Sequence, residues 1–283
     1  MRESKLLKPL NFLNDIEHGN ITFNLGIWGS IGVLILFILF GDILISLPLY
    51  IKKQTIFMII VRILLSLVLL IFVLWATSMI VGKKSENISK HNTPSKKIFV
   101  CFALLLIGYR LFFGGTISHI LDLIPQNSIL ESLGESLEND TAFMMFTVIV
   151  IAPIKEEFLM RGIICNGLSK RYSNKVAILV STFMFALIHF NIQQGVNAFL
   201  LGVILGYAYL KTKSLYLTIF LHMLNNTIVF PLSMQNVLSG TAQIVYSTIA
   251  AIIGLALIYK YYNKLKLSLD PKDVIVVEQN LQV

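Results

Sequence analysis

Two acids stand side by side in the stretch IAPIKEEFLMRG (residues 151–162): Glu156 and Glu157, with Lys155 before them and Arg161 after. Adjacent carboxylates can do general acid–base chemistry when their environments differ. Helical geometry predicts such a difference here. Glu157 and Arg161 are four residues apart and can pair along one helix face. Glu156 is rotated about 100° from Glu157 and is expected to face the interior as a general base. Two further stretches carry histidine at helical spacing. FALIH sets Phe185 and His189 at i and i+4, and HMLNN does the same for His222 and Asn226. A single buried histidine is usually a satisfied core residue. Two of them on separate segments, with an asparagine and an acid pair, point to a site.

The segments that must position these groups are apolar. Of 283 residues, 56% are hydrophobic and only 13% charged, where a soluble domain carries about a quarter charged residues. Mean hydropathy is +0.78. The apolar runs approach the roughly twenty residues that a helix needs to cross a bilayer. The expected fold is all-α, a polytopic membrane bundle of about eight helices near 24–50, 56–81, 97–121, 141–168, 175–191, 195–211, 214–232 and 242–262. The run at 141–168 must continue past the charged cluster, because a helix ending at Arg161 would set Glu156 and His189 at opposite membrane faces.

The net charge of +8 lies mainly in short loops, where it orients a membrane protein. Lys83, Lys84, Lys96, Lys97, Lys170, Arg171, Lys175, Lys211 and Lys213 fall on one expected side, and 122–140 holds acids only. This pattern predicts both tails (1–23 and 263–283) on the cytoplasmic side and an acidic outer loop at 122–140; Lys52 and Lys53 dissent. No nucleic-acid partner is expected. The first 22 residues are too polar for a signal-peptide core, so the first span is expected to direct insertion. Cys101 and Cys165 are expected to be free thiols.

Other intramembrane polar groups have structural readings. Asp42 and Arg62 are expected to pair and tie the first hairpin. Arg110 either snorkels or lines the same cavity as the motif residues. Gly202 and Gly206 form a small-residue face for close helix packing. His18, His91 and His119 are expected in surface roles. Ser169, in NGLSK, sits at a membrane edge beside Lys170 and Arg171, which suits a helix-end turn better than a nucleophile. HExxH, GxGD and P-loop motifs are absent from the sequence.

EEFLMR, FALIH and HMLNN match EExxxR, FxxxH and HxxxN, in that order and each on its own apolar segment. Each motif alone is weak; the ordered trio is specific. The arrangement, over about 141–232, resembles the CAAX protease and bacteriocin-processing (CPBP or Abi) family of intramembrane proteases, related to the type II CAAX prenyl endopeptidases. The resemblance implies peptide-bond hydrolysis by a glutamate-activated water. Glu156 would be the base, His189 would help hold and activate the water, and His222 and Asn226 would stabilise the oxyanion. Glu157, Arg161 and Phe185 would support the site. It also leaves zinc possible, on Glu156, His189 and His222, although metal-free catalysis is the preferred reading. The implied substrate is a membrane-bound or lipid-modified peptide. Bacterial members of the family include bacteriocin self-immunity proteins, so immunity, with or without proteolysis, is the alternative function. A transporter is a weaker one. The Ile/Lys/Asn-rich composition suggests a bacterial plasma membrane.

Overall fold

A computed structural model of the chain describes residues 12–17, 21–50, 56–84, 94–124, 141–232 and 240–269. The acidic loop beyond Ile124, His18, His91, Lys52, Lys53 and the tail after 269 lie outside the described residues. The described residues are mainly helical, with a two-residue antiparallel pairing of β1 (Ile21–Thr22) with β2 (Lys83–Lys84). The helices are α1 (Phe12–Glu17), α2 (27–50), α3 (Ile56–Val81), α4 (Lys96–Gly115), α5 (Ile117–Leu121), α6 (141–169), α7 (Asn174–Leu187), α8 (Ile192–Thr212), α9 (Leu215–Leu232) and α10 (Gly240–Ser268).

Among the described residues, five stretches are long and apolar enough to cross a membrane: Ile27–Ser46, α3, α4, α8 and α10. Two shorter apolar helices cover Asn174–Leu187 and Leu215–Val229. The polytopic helical bundle expected from the sequence is therefore borne out. The run α6 is also helical past the charged cluster, to Ser169, as the depth argument required.

The described residues fall into two compact units, one from 12–84 with 141–219 and the other from 94–124 with 220–269. In the first unit, the later part of α6 is enclosed. Every residue from Phe158 to Cys165 is buried, which an apolar sequence interrupted only by Arg161 and Gly162 makes possible. Helix α6 is not uniform. Thr147–Ile151 and Phe158–Cys165 are wound as π-helix, on either side of Ala152–Glu157. Pro153 lacks the N–H that would continue an α-helical ladder, and wider winding next to it accommodates the gap. Helices α7 and α8 pack closely: Gly202 faces Thr182, and Gly206 faces Ile178. The packing reading of these glycines is thus the observed one.

Caps set the ends of the two helices that follow α6. The Ser173 side chain accepts from Val176 N at 3.4 Å, and Asn191 accepts from Gln194 N at 3.1 Å. Phe190, with φ 50°, breaks the path between α7 and α8. Lys213 closes α8 in the left-handed region, with φ 54°. Burial holds the Lys213 ammonium below the usual lysine range. Lys170 is lowered too, first by burial and then by the positive charge of Lys213.

In the second unit α4 and α10 pack through glycine. A Cβ at Gly254 would come 2.5 Å from Phe112 N, and one at Gly108 would come 2.8 Å from Leu257 Cβ. Backbones this close are the small-residue contact expected between membrane helices. His119 Nε2 also meets Ser247 Oγ at 2.8 Å. Cys101 and Cys165 are buried free thiols.

Candidate active site

Helix α6 separates its two acids as its pitch requires. Glu157 is fully buried and Arg161 is 1% exposed. Arg161 Nη1 donates to Glu157 Oε1 at 2.8 Å, the expected i,i+4 pair. The guanidinium makes two more contacts. Its Nη2 donates to the Gly202 carbonyl on α8 at 3.2 Å, and it lies 4.9 Å from the centre of the Phe185 ring on α7. One arginine therefore neutralises a buried acid and links three helices. Glu156, one residue earlier, is only half-buried.

Phe185 passes the link onward to the FxxxH histidine. Its ring meets the His189 ring edge-on, with centroids 5.0 Å apart. His189 Nδ1 lies 2.8 Å from Phe185 O. A carbonyl only accepts, so Nδ1 carries a proton and Nε2 is the ring nitrogen left for other contacts. His189 is not on the helix proper. Helix α7 stops at Leu187, and His189 occupies the turn beyond it, with its N–H on Ala186 O at 3.3 Å. The i,i+4 neighbour relation to Phe185 survives because this turn continues the helical path by one tighter step.

The Asp42–Arg62 pair expected from the sequence is not formed. Asp42 Oδ1 instead accepts from Lys155 Nζ at 2.6 Å, so α2 is tied to α6. Arg62 Nε donates to Pro48 O at 3.0 Å, and its guanidinium sits 4.0 Å from the Phe143 ring centre. Carbonyl and ring together supply an environment for the cation without that carboxylate. Asp42, Ser46, Ser66, Thr147 and Lys155 line a cavity of about 330 Å³. In the second unit, Arg110 is buried next to Tyr109, 5.7 Å from the Phe113 ring centre.

His222 and Asn226 lie on α9, in the part belonging to the second unit. His222 is 3% exposed and Asn226 half-buried. Asn225, which the sequence reading passed over, donates Nδ2 to Asn226 Oδ1 at 3.0 Å. That bond engages the oxygen of the Asn226 amide, whose NH2 group is a donor. The Gly202 carbonyl was also passed over, although the Gly202–Gly206 spacing marked a close helix approach. Among the described residues, no three His, Cys, Asp or Glu side chains are grouped as a metal site.

The molecule is thus a polytopic helical membrane protein whose EExxxR, FxxxH and HxxxN motifs stand on helices or their ends. Residues 138–228, which contain all three motifs, match the family model described as type II CAAX prenyl endopeptidase Rce1-like. The resemblance read from the motifs is borne out. The chain is 28% identical over 181 residues to the membrane-embedded CAAX protease MroQ of Staphylococcus aureus, covering 59% of this chain and 73% of that protein. It is 27% identical over 94 residues to the putative membrane peptidase YdiL of Bacillus subtilis, covering 33% of this chain and 38% of that protein. An uncharacterised 24.3 kDa protein of Escherichia coli is 30% identical over 89 residues, covering 30% of this chain and 41% of that protein. No solved structure matches. The family match and the MroQ relationship support a membrane peptidase.

Proposed function

We propose that the protein is an intramembrane endopeptidase in which Glu156 activates the hydrolytic water. The observation that carries this reading is the division of labour on α6: Glu157 is sealed against Arg161, while its neighbour Glu156 keeps partial exposure. Glu156 takes a proton from water, and the hydroxide attacks the scissile carbonyl. His189 holds that water through Nε2. His222 and Asn226 donate to the oxyanion of the tetrahedral intermediate, where fixed donors act most strongly. The C–N bond then breaks, and Glu156 returns its proton to the departing amine. Glu157, Arg161 and Phe185 hold the helices that carry these groups.

The substrate is a membrane-bound or lipid-modified peptide, and the enzyme works without a metal. It resides in a bacterial plasma membrane with both tails in the cytoplasm; the bacterial relatives and the loop-charge asymmetry support this. The test uses protein reconstituted in liposomes with two quenched fluorescent peptides, one farnesylated at a C-terminal CAAX sequence and one an unmodified single-span peptide. Cleavage of at least one is expected. It should be lost in Glu156→Ala without loss of folding, and it should persist after chelation by 1,10-phenanthroline. Cleavage by Glu156→Ala would refute the mechanism; loss on chelation, restored by zinc, would refute the metal-free form.

A further inference from the structure

Helix α9, which carries His222 and Asn226, begins with its backbone donors facing an acid from the far end of the chain. The first amides of any helix lack partners within it. In α9 three of them are satisfied. Leu215 N and Tyr216 N donate to Glu17 Oε2 at 2.8 and 3.2 Å, and Leu217 N donates to Ser214 Oγ at 3.2 Å. Ser214 Oγ in turn donates to Glu17 Oε1 at 2.6 Å. The serine is an ordinary N-cap residue. The glutamate is not ordinary, because it stands 197 to 199 residues away in sequence and is only 6% exposed. A buried carboxylate is costly unless its oxygens are satisfied, and here both are. Its charge also complements the positive end of the helix dipole.

The segment that delivers Glu17 touches the EExxxR helix as well. Gly162 directly follows Arg161, and a Cβ placed there would meet Leu215 Cδ2 at 3.5 Å and Ile16 Cγ2 at 3.7 Å. Ile16 is buried. One short helix, α1, thus places consecutive residues against the EExxxR helix and on the first turn of α9.

We infer that Glu17 is a positioning residue for the peptidase: it fixes the first turn of the helix bearing His222 and Asn226. Helix α9 is continuous, so a shift of its first turn moves His222, about two turns on. This inference rests on the peptidase reading for its effect on turnover, but not for the cap itself. The test takes full-length protein in liposomes with the two fluorescent peptides, and it reads kcat, KM and hydrogen exchange at the Leu215 and Tyr216 amides. Glu17→Ala should speed exchange at both amides. It should lower kcat on the order of tenfold to a hundredfold, as small misplacements of reacting groups do, and leave KM within about twofold. Glu17→Gln keeps an acceptor for these amides and should recover most of kcat. Unchanged kcat in Glu17→Ala, or no recovery in Glu17→Gln, would overturn the inference. If Glu17→Ala does not fold, Ser214→Ala carries the test, with a smaller kcat loss expected and unchanged kcat overturning it. Should the wild type cleave neither peptide, the peptidase reading fails separately, and unchanged exchange in Glu17→Ala would overturn the cap.

Discussion

Glu157–Arg161 and Asp42–Lys155 are both carboxylate–cation pairs anchored on α6, and they sit on either side of Glu156 in sequence. The first is intrahelical, with side chains 0% and 1% exposed. The second joins two helices, with Asp42 and Lys155 side chains 34% and 21% exposed. Burial makes the first pair costly to break, since removing one partner strands a charge. The second pair is less enclosed by the protein, so breaking it should cost less. The chain thus flanks Glu156 with one rigid support and one yielding one.

The sharpest way to test that contrast is to remove the arginine. Arg161→Ala should destabilise the protein by about 3–5 kcal/mol, the range for an orphaned buried charge. The same change removes the bond to Gly202 O and the contact with Phe185. Thermal unfolding in detergent, followed by a thiol-reactive dye on the buried Cys101 and Cys165, would read this loss. An unfolding temperature equal to wild type would show that the pair is not a support.

A smaller effect is expected from crowding the pair without breaking it. A Cβ at Gly202 would lie 2.8 Å from Thr182 Cγ2 and 3.3 Å from Arg161 Nη2. Gly202→Ala should therefore cost about 1–3 kcal/mol, as overpacking does, measured by the same dye assay. The smallest effect belongs to the half-buried pair. Lys155→Ala should lower the unfolding temperature less than either of these changes. A loss as large as that of Arg161→Ala would erase the distinction between the pairs.

The sequence made one side of this comparison legible and left the other hidden. An i,i+4 pair follows from the pitch of one helix, so Glu157–Arg161 could be read directly. The partner of Asp42 depends on how α2 meets α6, which no spacing encodes, and its true partner Lys155 lies 113 residues away. Helix positions were legible because apolar runs of membrane length have few alternatives. Local winding was less so: Pro153 hinted at an irregular α6, but not at π-helix on both sides of the motif. The end of α7 before His189 was hidden as well, since FALIHF holds no Gly or Pro to mark a break, which depends on the backbone of Phe190. Glu17 gave no sign of its role, because a helix cap drawn from the other end of the chain has no sequence signature.

The central claim is that two adjacent glutamates do different work, and a paired measurement on Glu156→Gln and Glu157→Gln addresses it most directly. Peptide cleavage in liposomes and thermal unfolding would be recorded for both variants. Glu156→Gln should unfold at the wild-type temperature and cleave nothing, while Glu157→Gln should unfold at a clearly lower temperature. Cleavage by Glu156→Gln, or a Glu157→Gln protein as stable as wild type, would contradict the account.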